Sequence, residues 1–334
     1  MLLLPANLKK GDQIGFFSPS SAATHWAPKR FARAKKFLQE KGFELVAGNL
    51  TGQNDFYRSG SIQERAAELN ELIRNPSVRC IMSVIGGANS NSILPYIDYK
   101  ALEKDPKIMI GYSDMTAILL AIYSQVNLVT FYGPALVASF GEMGQLVAKT
   151  FQYFSDILIN PKVPMKVSNP AFWTDEKIDW ETQSRTKEVQ KNELITLQSG
   201  KATGRLIVGN LNTILGIYGS PYMPAIREGD LLVIEDAMKN PAIIERSFAH
   251  LKINGIFDKI GGLILGKHEK FDDLKTGRKP YEIMQEVMGE KNIPILAEYD
   301  SCHTHPMITL PIGVRAELDS DAQTLTILER STKH

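Results

Sequence analysis

Residues 107–123, KIMIGYSDMTAILLAIY, decide how the rest of the chain is read. Ile108-Met109-Ile110 is a short apolar run of the kind that forms a buried strand. Met115, Ile118, Leu119 and Ile122 recur at helical spacing. Between them stands Gly111-Tyr112-Ser113-Asp114. A strand that turns sharply into a helix leaves the turn residue clear at the strand's C-terminal edge. The first N–H groups of that helix have no intrahelical partners and can receive an oxyanion. A serine so placed follows the logic of a nucleophile elbow, although the motif here is Gly-Tyr-Ser-Asp and not Gly-x-Ser-x-Gly. The plainer alternative is that Ser113 or Asp114 only caps the helix.

The flanking sequence repeats the same alternation. Strand patterns at 13–18, 43–46, 79–85 and 127–131 interleave with helical patterns at 28–41, 61–74 and 143–158. Ser61 and Glu64 have the spacing of a capping box. This predicts an α/β fold with an N-terminal open, mostly parallel sheet flanked by helices. In such sheets ligands gather at the carboxyl ends of the strands. Two further loops fall there, Ser18-Pro19-Ser20-Ser21 and Gly86-Gly87-Ala88-Asn89-Ser90. A Gly-Gly pair lets the backbone approach a ligand and aim N–H groups at it, or it simply makes a tight turn. If the strand before Gly86 lies beside the strand before Ser113, the Gly87 amide and Ser113 share one crevice.

The texture changes after residue 160. Residues 161–200 are polar, with Pro161, Pro164 and Pro170, and read as an interdomain connection or lid. This stretch holds Trp173 and Trp180, which either pin the loop or offer a platform to a flat ring. Strand patterns at 205–208, 230–234, 260–265 and 293–297, with helical ones at 242–251 and 281–288, then predict a C-terminal mixed, β-rich α/β domain. The expected division is 1–160, 161–200 and 201–334, with the site between the outer two. Glu235-Asp236 ends a buried strand, where two acids are costly unless paired or used. His303 and His305 follow another strand. A serine is a weak nucleophile until a histidine takes its proton and a carboxylate holds that histidine, and Ser…Glu…His is one workable chain order. Two other readings of these residues are a metal-dependent hydrolase using His303, His305, His268 and Glu269, and a catalytically silent nucleotide-binding protein.

Composition narrows the setting. A net charge of +1 gives no electrostatic case for nucleic acid or an anionic membrane. Two cysteines, Cys80 and Cys302, are too few for a disulfide framework and fit a reducing compartment. The N-terminal MLLLPANLKKGD is too short in its apolar part for a signal-peptide core. The long apolar region at 108–140 is interrupted by Asp114, Gln125, Asn127 and Pro134 and makes a poor membrane span. A cytoplasmic protein without a membrane or nucleic-acid partner is expected.

Taken together, Ser18-Pro19-Ser20, Ile85-Gly86-Gly87, Gly111-Tyr112-Ser113-Asp114, Gly209-Asn210-Leu211-Asn212, Ile234-Glu235-Asp236, Gly266-Lys267-His268 and Cys302-His303-Thr304 stand in a definite order. In that order the chain resembles the LD-carboxypeptidase family of serine peptidases, and within it the branch of microcin C immunity peptidases. The resemblance implies Ser113 as nucleophile, His303 as general base and Glu235 as its orienting acid. It also implies an oxyanion hole from the Gly87 and Asp114 amides. The family usually shows Gly-His-Thr at the histidine, so Cys302 replaces a glycine, and His305 is a rival base. By the same resemblance Trp180, in preference to Trp173, stacks on an adenine, and Asn212 and Lys239 face the phosphate side of the ligand. No cofactor is implied, and a homodimer is. The implied reaction cleaves the amide between an acidic residue and a modified nucleotide through an acyl-enzyme. The alternative within the family is removal of the terminal D-alanine from a murein tetrapeptide.

Overall fold

The alternating pattern of the first half becomes β1 (Gln13–Phe17), β2 (Glu44–Ala47), β3 (Val78–Ser83), β4 (Ile108–Gly111) and β5 (Thr130–Tyr132). The structure, a computed structural model, describes residues 2–333. The helices of this half are α1 (Ala23–Trp26), α2 (Pro28–Glu40), α3 (Ile62–Arg74), α4 (Tyr99–Lys104), α5 (Thr116–Val126) and α6 (Gln145–Leu158). Pro28 opens α2 where its missing N–H costs nothing. The capping box of α3 is formed in both directions: Glu64 N donates to Ser61 Oγ at 3.2 Å and Ser61 N to Glu64 Oε2 at 2.8 Å. Every residue of α5 from Thr116 to Tyr123 is buried. Each of its leucines and isoleucines contributes about 1.5–3 kcal/mol by leaving water. Asn127, in the left-handed conformation, stops the helix.

Residues 161–200 are less of a free connection than their polarity predicts. They hold β6 (Met165–Val167), a two-stranded ribbon of β7 (Phe172–Trp173) with β8 (Gln190–Lys191), and β9 (Ile195–Gln198). The remaining strands are β10 (Lys201–Asn210), β11 (Leu231–Glu235), β12 (Gly262–Gly266), β13 (Ile295–Tyr299), β14 (Leu310–Ile312), β15 (Arg315–Asp319) and β16 (Thr324–Ile327). A short helix, α7 (Leu211–Leu215), follows β10.

Two large sheets result. The first has the order β14-β5-β4-β3-β1-β2, parallel from β5 to β2, with β14 antiparallel at its edge. The second has the order β6-β16-β15-β10-β11-β12-β13-β9. Its centre, β10 to β13, is parallel, and antiparallel strands flank it on both sides. The lid segment therefore supplies both edges of this second sheet, through β6 and β9. The second half in turn returns one strand, β14, to the first sheet. Each half is stitched into the other, and the carboxyl ends of β3, β4, β10 and β11 are brought to one crevice.

Candidate active site

The crevice is built around Ser113. β4 ends at Gly111, where a Cβ would lie 2.3 Å from Ser83 Oγ and 2.7 Å from Met115 Cγ, so a side chain here would displace both. Ser113 then turns the chain with φ 61°. That is the left-handed region, which costs a non-glycine residue about 1–3 kcal/mol and persists where the surroundings enforce it. One enforcing contact is the Ser113 amide, which donates to the Tyr132 hydroxyl at 3.2 Å. A single 3-10 turn, Ser113–Met115, leads into α5. The Ser113 side chain caps neither that turn nor α5.

The glycine pair meets this turn directly, because β3 pairs with β4 in parallel. A Cβ on Gly86 would lie 2.7 Å from Ser113 Cβ and 3.0 Å from Asp114 N. Gly87 has φ 149°, and a Cβ there would lie 2.2 Å from Ser20 Oγ. The Asp114 carboxylate ties the two loops together by accepting from the Asn89 and Ser90 amides, both at 2.9 Å. It thus caps the 3-10 helix Ser90–Tyr96, which belongs to the neighbouring loop.

From the second sheet comes Glu235, the last residue of β11, 1% exposed. Its Oε2 bonds His303 Nδ1 at 2.6 Å. Its Oε1 accepts from the Tyr132 hydroxyl at 2.5 Å and from Asn210 Nδ2 at 3.2 Å. Burial pushes the Glu235 carboxyl up, but His303, Tyr132 and Asn210 together outweigh it and hold the group below the usual carboxylate range. Burial likewise works against the His303 imidazolium, yet the Glu235 charge prevails and raises that pKa above the ordinary histidine value. Tyr112 packs edge-on against the imidazole, with ring centroids 4.9 Å apart. Cys302 is buried, with its thiol 3.1 Å from Thr304 Oγ1. It is not among the residues of positive φ, so nothing in the backbone here requires glycine.

His305 has a different environment. Its Nε2 is 3.8 Å from Glu142 Oε2, and that carboxylate also meets Arg30 at 3.0 Å and Lys187 at 3.3 Å. Burial lowers the His305 pKa, Lys187 adds to the effect, and Glu142 only partly opposes it. His305 is held neutral. His268 turns its Nδ1 to Gly266 O at 3.1 Å. Among the described residues no group of three or more His, Cys, Asp or Glu is arranged to hold a metal ion.

Ser113, Gly87, His303, His305 and Trp180 line one cavity of about 480 Å³, a size suited to a small-molecule ligand. The lid over it is the loop between β7 and β8. The Glu181 carboxylate receives the Lys29 and Arg30 amides at the start of α2, at 2.9 and 3.2 Å. Thr174 forms a two-bond antiparallel bridge with His305. Trp180 stacks on Trp26 at 5.1 Å, with the Arg30 guanidinium 4.2 Å from its ring centre. Trp173 lies instead in a neighbouring pocket, with Lys267 5.2 Å from its ring. Asn212 and Lys239 are not among the residues that line this cavity. Asn212 sits exposed on α7, while Asn210, two residues earlier, is the asparagine that reaches Glu235. Lys239 folds back onto Ala237 O at 3.1 Å and Asp236 Oδ1 at 3.4 Å.

Comparison with known proteins identifies the family. Residues 14–133 match the model of the LD-carboxypeptidase N-terminal domain, and residues 203–318 that of the LD-carboxypeptidase C-terminal domain. The chain belongs to the LD-carboxypeptidase family. It is a hydrolase of the serine carboxypeptidase type. A carboxypeptidase-named protein of Vibrio cholerae is 57% identical over 99% of both chains. The microcin C7 self-immunity protein MccF of Escherichia coli is 52% identical over 98% of this chain and 96% of its own. A structure of MccF in complex with aspartyl sulfamoyl adenosine superposes with a TM-score of 0.97, covering 99% of this chain and 100% of that one. A Bacillus subtilis protein named as a murein peptide carboxypeptidase is 29% identical over 97% of this chain and 93% of its own.

Within this LD-carboxypeptidase fold, several residues at the site carry no local sequence signal. Tyr132 ends a strand as an apolar residue would, and its hydroxyl shows its role only once β5 lies beside β4. Glu142 and Arg30 are 112 residues apart and look like ordinary surface charges. No helix among the described residues is long and apolar enough to cross a membrane.

Proposed function

We propose that this carboxypeptidase hydrolyses the amide joining an acidic amino acid to a modified nucleotide, through an acyl-enzyme on Ser113, in the cytoplasm. One observation carries the reading: a single cavity is lined by a strained serine, a glycine-rich loop, a histidine bonded to a buried glutamate, and a lid tryptophan. With Nδ1 engaged by Glu235, the other ring nitrogen of His303 is left to take the Ser113 proton. Ser113 Oγ attacks the carbonyl carbon, and the Gly87 and Asp114 amides receive the developing oxyanion. The C–N bond breaks as His303 returns the proton to the leaving nitrogen. A water molecule, deprotonated by His303, then releases the acid and restores Ser113.

Two features favour a nucleotide substrate over a murein peptide. Trp26 and Trp180 both line the cavity, and stacking of a base on an aromatic side chain is worth about 1–3 kcal/mol. Identity to MccF, whose solved complexes hold aspartyl sulfamoyl adenosine and glutamyl sulfamoyl guanosine, far exceeds identity to the murein peptide carboxypeptidase. Asn212 and Lys239 are assigned to the phosphate side of the ligand, and an MccF structure described as an active site mutant replaces an asparagine and a lysine together with a serine. The test is hydrolysis of aspartyl sulfamoyl adenosine and of a murein tetrapeptide by wild type and Ser113→Ala. The proposal expects the nucleotide to be cleaved preferentially and Ser113→Ala to lose turnover by several orders of magnitude while retaining ligand binding. Preferential trimming of the tetrapeptide contradicts the substrate, and an active Ser113→Ala contradicts the mechanism.

A further inference from the structure

Arg65 lies on α3, 1% exposed, and forms no ion pair among the described residues. A buried guanidinium without a carboxylate partner is expensive unless every N–H is engaged. Here the engagement is with neutral acceptors only. Nε donates to Gly60 O at 3.0 Å, and Nη1 to Pro19 O at 2.6 Å. Nη1 also reaches Asn89 O at 3.2 Å and Asn89 Oδ1 at 2.9 Å, and Nη2 donates to Ser92 Oγ at 3.1 Å.

The acceptors belong to particular loops. Pro19 is in the loop after β1, and Asn89 and Ser92 follow β3. Ser20, next to Pro19, donates its hydroxyl proton to Asn89 Oδ1 at 2.8 Å and accepts from the Ala88 and Asn89 amides at 3.0 and 3.2 Å. The Ser21 amide donates to Gly86 O at 3.1 Å. Asp114 grips the Asn89 and Ser90 amides from the Ser113 side. The Gly86–Gly87 segment is thus held from two sides: Asp114 ties it to the serine turn, and Ser20 and Ser21 tie it to the first loop of the sheet, with Arg65 bracing that loop against Asn89.

We propose that Arg65 is a positioning residue for the reaction, holding the Gly87 amide at the distance from Ser113 that oxyanion stabilisation requires. The inference rests on the reading of Ser113 as nucleophile and Gly87 as oxyanion donor. Arg65 touches neither substrate nor Ser113 and acts through the two loops it joins. A lysine there keeps the charge but loses the planar fork that spans Pro19, Asn89 and Ser92. Losing one oxyanion donor costs about 10²–10³ in kcat, so a displaced one costs up to that amount.

The experiment compares Arg65→Lys and Arg65→Ala with wild type in hydrolysis of aspartyl sulfamoyl adenosine. Binding of two probes is measured alongside: an aspartate-derived boronic acid, which forms a tetrahedral adduct, and adenosine monophosphate, which does not. The expected result for Arg65→Lys is a fall in kcat of about 10²-fold with KM within about threefold. Its boronate affinity falls in parallel and its adenosine monophosphate affinity is retained. Millimolar guanidinium partly restores kcat of Arg65→Ala, and urea does not. A folded Arg65→Lys with kcat within about threefold of wild type overturns the proposal. So does equal loss of both probes, which marks a general structural role. If both variants fail to fold, Asn89→Ala decides, since it removes the Oδ1 shared by Arg65 and Ser20. A roughly tenfold lower kcat with unchanged adenosine monophosphate affinity supports the proposal, and wild-type kcat overturns it. Ser113→Ala is run in parallel. If it remains active, the parent mechanism has failed; if it is inactive while the Arg65 and Asn89 variants match wild type, only this inference has.

Discussion

Two histidines one residue apart, His303 and His305, line the same cavity, and each faces a buried glutamate. Their chemistry nevertheless diverges. Glu235 is surrounded by neutral donors, Tyr132 and Asn210, so its charge is left for His303, 2.6 Å away. Glu142 is already matched by Arg30 and Lys187, so His305, 3.8 Å away, gains little from it. The first imidazole has a raised pKa and the second a lowered one. A histidine beside a carboxylate is therefore not in itself a base ready to work. The carboxylate must have charge to spare. The Glu142 cluster instead holds the lid, through Lys187 and through Gln183, which donates to Glu142 at 2.5 Å.

The largest expected effect separates the two imidazoles. His303→Ala lowers kcat by about 10⁴-fold or more, and His305→Ala by no more than about tenfold. Comparable losses from both would break the distinction. Next come the two carboxylates. Glu235→Gln lowers kcat by roughly 10³–10⁴-fold. It also moves the acid limb of kcat/KM to lower pH, because the charge that raised the His303 pKa is gone. Glu142→Gln leaves Arg30 and Lys187 without their anion. It destabilises the fold by about 3–5 kcal/mol in urea unfolding, while the acid limb stays in place. A shifted limb in Glu142→Gln would show that this cluster reaches the reacting groups.

The sharpening variant is Tyr132→Phe, which removes one donor from Glu235 and the acceptor of the Ser113 amide. Its kcat falls by about tenfold. With less of its charge taken up by hydrogen bonds, Glu235 holds the His303 proton more firmly, and the acid limb moves to higher pH. The smallest effect is on stability against pH. Glu235 is lowered and His303 raised by folding, so their pair contributes most between about pH 4.3 and pH 6.5, the unfolded values. The contribution fades as pH falls through the folded Glu235 pKa and as it rises through the folded His303 pKa. Glu235→Gln removes the falls in urea midpoint on either side of that range; an unchanged profile would remove the pair from the stability account.

Much of this arrangement is legible in the sequence where the signal is local. Ile108-Met109-Ile110 followed at once by the period of α5 places Ser113 on a sharp turn, and Ser61 with Glu64 marks the start of α3. Gly86-Gly87 announces a close backbone approach, and the parallel pairing of β3 with β4 supplies what it approaches. Long-range features escape such a reading. Arg30, Arg65 and Tyr132 sit in ordinary helix or strand patterns and Glu142 in the loop before α6, and only tertiary packing turns them toward the site. The strands β6 to β9 are two to four residues long, so the pairing of β6 with β16 and of β9 with β13 leaves no periodicity to detect.

The contrast between the two imidazoles is most directly measured by proton–nitrogen correlation NMR of histidine-labelled protein titrated from pH 5 to pH 9. The account predicts that the His303 ring passes from imidazolium to neutral above the ordinary value of about 6.5, while the His305 ring is neutral throughout. A neutral His303 across this range, or a His305 that titrates within it, would contradict the assignment of base and bystander.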